Sequence, residues 1–130
     1  MEMKPNAFQI SVGPLLYYWP RQRTLDFYAD LADSAADILY IGETVCSRRH
    51  ELRADDWLGL ARDLRAAGKT VVLSGRTLIE TGAEAHALKK LCDQDDFMVE
   101  AGELGAVRHL AGRAFVAGPH VNAYHGGTLQ

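Results

Sequence analysis

The chain has 130 residues, a hydrophobic fraction of 48% and a net charge of -3. That size suits one domain with its own core, and the apolar content excludes an intrinsically disordered chain. Interspersed charge excludes the basic patch of a nucleic-acid-binding surface, and no apolar run approaches the ~20 residues of a membrane span. Two cysteines, Cys46 and Cys92, are too few for a disulfide framework. The start, Met1 to Asn6, lacks the apolar stretch of a signal peptide, so a reducing cytoplasm is the expected setting.

The run from Phe8 to Trp19 contains Ile10, Val12, Leu15, Leu16 and Tyr17, with Pro14 inside it; it reads as a short strand with an irregular exit. Thr24 opens a helix with Leu25, Tyr28, Ala32 and Ala35 on one face. Ile38 to Gly42 is a second strand, followed by a polar loop through His50 and Arg53. Asp55 or Asp56 suits the cap of a helix whose inner face is Trp57, Ala61 and Leu64, with Gly68 where a left-handed residue closes it. Thr70 to Ser74 is a β-branched third strand bounded by Gly75. Thr81 and Glu84 have capping-box spacing, and the helix after them buries Ala85, Leu88, Leu91 and Cys92. Phe97-Met98-Val99 is a fourth strand. Glu103 to Leu110 is a short helix weakened by Gly105, and Phe115-Val116-Ala117 is a fifth strand ending at Gly118-Pro119-His120. The last ten residues show no clear periodicity.

Strand and helix thus alternate four times before a fifth strand, which predicts an α/β fold of parallel βα repeats with right-handed crossovers. Two architectures fit: an open doubly wound sheet, or about half of a (β/α)8 TIM-like barrel, since a full barrel takes ~250 residues. No linker or low-complexity tract divides the chain, so residues 1–130 read as one segment.

In parallel α/β proteins, ligands gather at the carboxyl ends of strands. The tract from Asp37 to Arg49 puts Cys46 there, with Glu43, Arg48 and Arg49 around it, and two nearby cations favour the thiolate. The competing reading is a packed thiol. One thiolate holds neither an iron–sulfur cluster nor a structural zinc ion, and His50, four residues on, makes a weak metal pair. Cys92, in step with Leu88 and Leu91, reads as a core thiol.

Tyr17 and Trp19, at the end of the first strand, either line a pocket for a ring-shaped ligand or plug one end of the fold. Glu43 serves as a general base, a hydrogen-bonding group or an ion-pair partner of Arg48, the pair being the plainest role. His120 and Asn122 follow strand five, with His125 beyond them and Glu100 at the end of strand four, and would share a rim with Glu43. Tyr17, Trp19, Glu43, His120 and Asn122 are therefore the candidate substrate-binding residues. No catalytic set stands out: there is no Ser-His-Asp pattern, P-loop or dinucleotide fingerprint.

The tracts Val12-Gly13-Pro14-Leu15-Leu16-Tyr17-Tyr18-Trp19-Pro20 and Ala36 to Arg49 resemble the UbiV-type branch of the collagenase-like, U-type peptidase family. Asp56-Trp57-Leu58, Gly68 to Ser74 and Phe115-Val116-Ala117-Gly118 extend the resemblance in the same order, from about Ser11 on. It implies a (β/α)-barrel-like domain and a role in oxygen-independent hydroxylation of a ubiquinone-precursor ring during anaerobic growth. A UbiU-like heterodimer partner, a UbiT-like lipid-binding protein and a 4Fe-4S cluster on four cysteines are also implied. Cys46 falls where the first cluster ligand is expected, and Cys92 matches no ligand position.

The resemblance further implies that the chain corresponds to an N-terminal half, with the other three ligands outside it; the peptidase family's cysteine-rich signature is absent. The chain alone is then expected to be inactive, to hold no stable cluster and, with unpaired sheet edges, to associate. The alternatives are a non-enzymatic docking module for a UbiU-like partner, or a peptidase relative, though no nucleophile with its base is visible.

Overall fold

Strands form where β-branched and small aliphatic residues cluster, and they pair in the order in which they occur. The computed structural model describes residues 8–44 and 51–129. Its strands are β1 (Ser11–Val12), β2 (Ile38–Ile41), β3 (Thr70–Ser74), β4 (Met98–Ala101) and β5 (Val116–Ala117). Its helices are α1 (Arg21–Ala32), α2 (Ala54–Ala66), α3 (Gly82–Asp93) and α4 (Leu104–His109), followed by 3-10 turns at Pro119–Val121 and Gly126–Leu129. Every strand pair is parallel, and the sheet order is β1-β2-β3-β4-β5.

That order decides between the two expected architectures. A doubly wound sheet reverses its strand order and carries helices on both faces. Here Leu39 pairs with Val71, Ile41 with Leu73, and Leu73 with Val99, so these residues share one face. The same residues pack against Tyr28 of α1 and Ala61 and Leu64 of α2, or against Leu88 of α3 and Ala106 of α4. All four helices therefore cover a single face, and the sheet curls into half of a βα barrel. Leu39, Ile41 and Ala101 are fully buried, and each large aliphatic side chain so placed contributes ~1.5–3 kcal/mol.

The opposite face carries the alternate residues. Tyr40, Val72 and Met98 form one cross-strand row, and Ser74, Glu100 and Val116 form the next row toward the carboxyl ends. Met98 remains 46% exposed there. This inner face is apolar in its middle row and polar in the row beyond.

The helix boundaries differ from expectation in informative ways. Helix α1 begins at Arg21, a turn before Thr24, because Pro20 stands at its cap and its carbonyl accepts both the Thr24 amide, at 3.1 Å, and the Thr24 hydroxyl, at 3.2 Å. The buried stripe is accordingly Thr24 and Tyr28, flanked by Phe27 and Leu31, while Ala35 lies beyond the helix and is exposed. Helix α2 caps at Arg53 rather than at an aspartate. Asp56 instead accepts the Arg53 amide at 2.9 Å, and Asp55 and Asp56 place negative charge in the first turn, where the helix dipole favours it. The Thr81–Glu84 capping box is present, with Glu84 N–H donating to Thr81 Oγ1 at 3.2 Å and Thr81 N–H to Glu84 Oε2 at 3.3 Å. Ala85 is exposed, because α3 turns Leu88 and Cys92 inward. Among the described residues no helix is long and apolar enough to cross a membrane.

Candidate functional site

A glycine follows each strand directly: Gly13, Gly42, Gly75, Gly102 and Gly118. At two of these the reason is steric. Gly42 has φ +138°, and a Cβ there would stand 2.4 Å from the Ser74 carbonyl oxygen. A Cβ on Gly102 would stand 2.6 Å from the Arg76 carbonyl oxygen. Such approaches admit only glycine. The chain therefore turns tightly at the carboxyl ends of the strands, and the residues after each turn are gathered on one rim.

At the β1 and β2 side of that rim, aromatic residues stack in series. Tyr17 is 69% exposed and lies on Trp19 with 6.2 Å between ring centroids. Trp19 meets Phe27 edge-on at 5.3 Å and carries the Arg23 guanidinium over its ring at 4.3 Å. Trp19 and Glu43 line one small cleft together with Leu15, Thr24 and Trp57. Three of the expected residues, Tyr17, Trp19 and Glu43, are thus brought together. Cys46 lies outside the described residues, as do Arg48, Arg49 and His50.

The segment that begins at Glu51 is held firmly. The Tyr18 hydroxyl donates to Glu51 Oε1 at 3.0 Å, and Arg21 Nη1 donates to the Glu51 carbonyl at 3.3 Å. Arg21 also pairs with Asp56 at 2.9 Å. The hydrogen bond from Arg21, helped by the Arg53 amide, holds the Asp56 carboxyl down at about 2.

His120 and Asn122 stand at the other side of the rim, in and just after the turn that follows β5. Both are exposed; Asn122 adopts a left-handed conformation and accepts the Tyr124 hydroxyl at 3.0 Å. The expected substrate-binding set thus divides into two groups, at the two ends of the rim.

Between them lie residues with more buried chemistry. Glu100 projects from the inner face beside Ser74, its register partner on β3. Burial raises the Glu100 carboxyl, outweighing the Ser74 hydroxyl and the nearby His120, which both lower it. Ser74 is 3% exposed, and its Oγ completes no full hydrogen bond to the described residues. Glu103, by contrast, is committed to α4: it accepts the amides of Gly105 at 2.8 Å and Ala106 at 2.6 Å. The signal for Ser74 was present in the sequence, as a hydroxyl ending an otherwise apolar strand.

A cavity of about 570 Å³ opens between α2 and α3, and Ser74 and Gly75 are part of its lining. Leu58 and Leu91 face each other across it, Ile41 and Leu73 contribute to its lining, and Glu43, Arg53, Arg76 and Glu84 supply its polar groups. Its volume is in the range of small-molecule sites. Of the expected site residues only Glu43 reaches it.

The chain does not by itself fit a 4Fe-4S cluster. Such a cluster takes four thiolates, and the sequence has two cysteines. Cys92 is fully buried in the α3–α4 core, and burial, with Asp93 beside it, pushes its thiol up, away from the thiolate. Among the described residues no group of three or more His, Cys, Asp or Glu side chains is placed to hold a metal ion. No family model and no solved structure matches the chain.

Proposed function

We propose that the chain is a UbiV-type half of a TIM-like (β/α)8 barrel and takes part in oxygen-independent hydroxylation of a ubiquinone-precursor ring in the cytoplasm. One observation carries the reading. Of the tracts that resemble the UbiV type, Asp56-Trp57-Leu58 falls on α2 and the described parts of the others fall on or directly beside β1, β2, β3 and β5, several of them at the carboxyl ends, the part of a barrel where chemistry is done. The clamp of Tyr18 and Arg21 on Glu51 supports it, because it fixes the chain five residues after Cys46 in the sequence. In this reading Cys46 contributes one thiolate to a 4Fe-4S cluster, and the remaining ligands come from another polypeptide segment. Tyr17, Trp19 and Glu43 border the ring at one side, and His120 and Asn122 border it at the other. A UbiU-like subunit and a UbiT-like lipid-binding protein complete the system.

The test is anaerobic reconstitution with iron and sulfide. The chain is treated alone and together with the C-terminal half of a UbiV-type protein. A cluster, followed by absorbance and electron paramagnetic resonance, is expected only in the mixture and is lost with Cys46→Ser. A stable cluster on the chain alone, or one indifferent to Cys46→Ser, overturns the reading.

Met98, 46% exposed on the inner face, and the two-residue edge strands favour a second reading, a non-enzymatic docking module for a UbiU-like partner. Metal-free pull-down with that partner separates the two. Capture that is unchanged by Cys46→Ser supports docking, whereas capture that depends on iron, sulfide and Cys46 supports the first reading.

A further inference from the structure

We propose that Glu100, with Ser74 and His120, forms a proton-exchange site at the mouth of the half-barrel, for ligands that present a weakly acidic hydroxyl such as a phenol, enol or hydroxamic acid. The proposal shares His120 with the function proposed above but involves neither Cys46 nor a cluster, so loss of a cluster leaves it standing and its own failure leaves the cluster reading standing.

Three geometrical facts support it. Glu100 and Ser74 are register partners, so their side chains emerge side by side on the inner face, in the row nearest the carboxyl ends. Gly118 leaves room for the carboxyl: the position of a Cβ there is 3.3 Å from Glu100 Cγ and 3.4 Å from Glu100 Oε1. The same Cβ would stand 2.7 Å from the Ala101 carbonyl oxygen, so the close approach of this turn to β4, beside Glu100, requires glycine. The turn that begins after Gly118 then brings in His120, close enough for its charge to act on Glu100.

The three groups have complementary states. Ser74 is a buried hydroxyl with no full hydrogen bond to the described residues, and a buried donor of this kind calls for an acceptor. A ligand oxygen between Ser74 and Glu100 accepts from the first and donates to the second. Burial makes the Glu100 carboxylate more basic than an exposed one, which suits a general base for a weak acid. His120 is exposed, and its charge lowers the Glu100 carboxyl. Of two other charged side chains at this rim, Glu103 caps α4, while Arg76 approaches Glu84 at 3.7 Å and leaves its buried Nη1 without a hydrogen bond among the described residues. The row below, of Tyr40, Val72 and Met98, offers an apolar floor for the body of such a ligand.

The step is a proton transfer and balances without any co-reactant. The ligand O–H bond breaks and its electron pair stays on the ligand oxygen. The proton forms a new O–H bond on the Glu100 carboxylate and is then released to water. The reverse sequence delivers a proton to a ligand oxyanion.

Two measurements on the full chain test this. In nuclear magnetic resonance titrations Glu100 is expected to titrate above the exposed glutamates. His120→Gln should raise the Glu100 midpoint, because it removes an opposite charge. The probe is 4-nitrophenol, whose absorbance reports its protonation state. It should perturb the Ser74, Glu100 and His120 signals, and its affinity should fall about tenfold in Glu100→Gln, as for one lost charge-assisted hydrogen bond. His120→Gln alters an exposed residue and keeps the coupling test valid if Glu100→Gln does not fold. A Glu100 midpoint unmoved by His120→Gln, binding indifferent to Glu100→Gln, signals that leave Glu100 and His120 unperturbed, or no binding at all would each overturn the proposal.

Discussion

Arg21 Nη1 stands 2.9 Å from Asp56 Oδ2, joining the first turn of α1 to the first turn of α2. The pair does more than cross a gap. Asp56 also accepts the amide of Arg53, so one carboxylate caps α2 and holds α1 against it. Its folded pKa lies at about 2, below the ordinary carboxylate range. A depressed carboxylate stabilises the fold above its unfolded pKa, and that contribution is lost as pH falls toward the folded value. Asp56 should therefore titrate at about 2 by nuclear magnetic resonance, and Arg21→Gln should move its midpoint upward. Because both side chains reach solvent, added salt should weaken the effect. An Asp56 midpoint in the ordinary range, unmoved by Arg21→Gln, would show that the brace is absent in solution.

The rim glycines make a second prediction. A Cβ on Gly42 would stand 2.4 Å from backbone on the neighbouring strand, in addition to the unfavourable φ. On Gly68 the φ is +92°, but nothing lies within 4 Å. Gly68→Ala should therefore cost only the backbone strain, ~1 kcal/mol. Gly42→Ala adds a clash that β2 and β3 must separate to relieve, for a total of ~3 kcal/mol or more. Urea melts of the two variants give the difference. Equal costs would mean that the rim is not packed as closely as described.

The chemistry of Cys92 leads to a third expectation. It is fully buried and its thiol is raised by that burial, with Asp93 adding to the effect. A raised thiol contributes stability that is present below its ordinary pKa and is lost as pH rises through the folded value. Labelling of Cys92 by a thiol reagent should therefore track global unfolding and accelerate only in the alkaline range. Cys92→Ala, which keeps the site apolar, should cost ~1 kcal/mol. Rapid labelling of Cys92 in the native protein at neutral pH would contradict its place in the α3–α4 core.

Much of this arrangement was legible in the sequence, for identifiable reasons. Thr70 to Ser74 and the Thr81–Glu84 box were recognisable because local chemistry decides them: β-branching in the first case, reciprocal side-chain caps in the second. The start of α1 was not, because Pro20 and Thr24 settle it through a backbone carbonyl that no residue pattern reveals. The inner and outer faces of the sheet were also hidden. Ser74 and Glu100 meet only through the β3–β4 register, and register is a tertiary property. The same holds for Tyr17, Trp19 and Glu43, each visible as a strand-end residue but grouped only once β1 and β2 pair. The glycine after every strand was the one long-range signal open to inspection, since it recurs at each βα junction.

The opposite, amino-terminal end of the sheet depends on one lysine. Lys69 Nζ donates to the carbonyls of Ser34, at 2.7 Å, and Ala36, at 2.6 Å, both in the connection between α1 and β2. It stands just after Gly68, at the entry to β3, so it fastens the approach to β2 onto the approach to β3. Hydrogen bonds from a charged donor contribute ~1.5–3 kcal/mol, and the two acceptors here are main-chain groups that cannot turn away. Lys69→Met keeps the aliphatic stem and removes both donors, so it should cost stability of that order. Lys69→Arg should not restore it, because a planar fork does not reproduce a compact ammonium between two converging carbonyls. The loss should appear as a lower urea midpoint with an unchanged slope, and as faster hydrogen exchange at Ile38, whose amide pairs with Ile10 beside this connection. If Lys69→Met melts like the wild type, the two carbonyls are satisfied by water and the lysine fastens nothing.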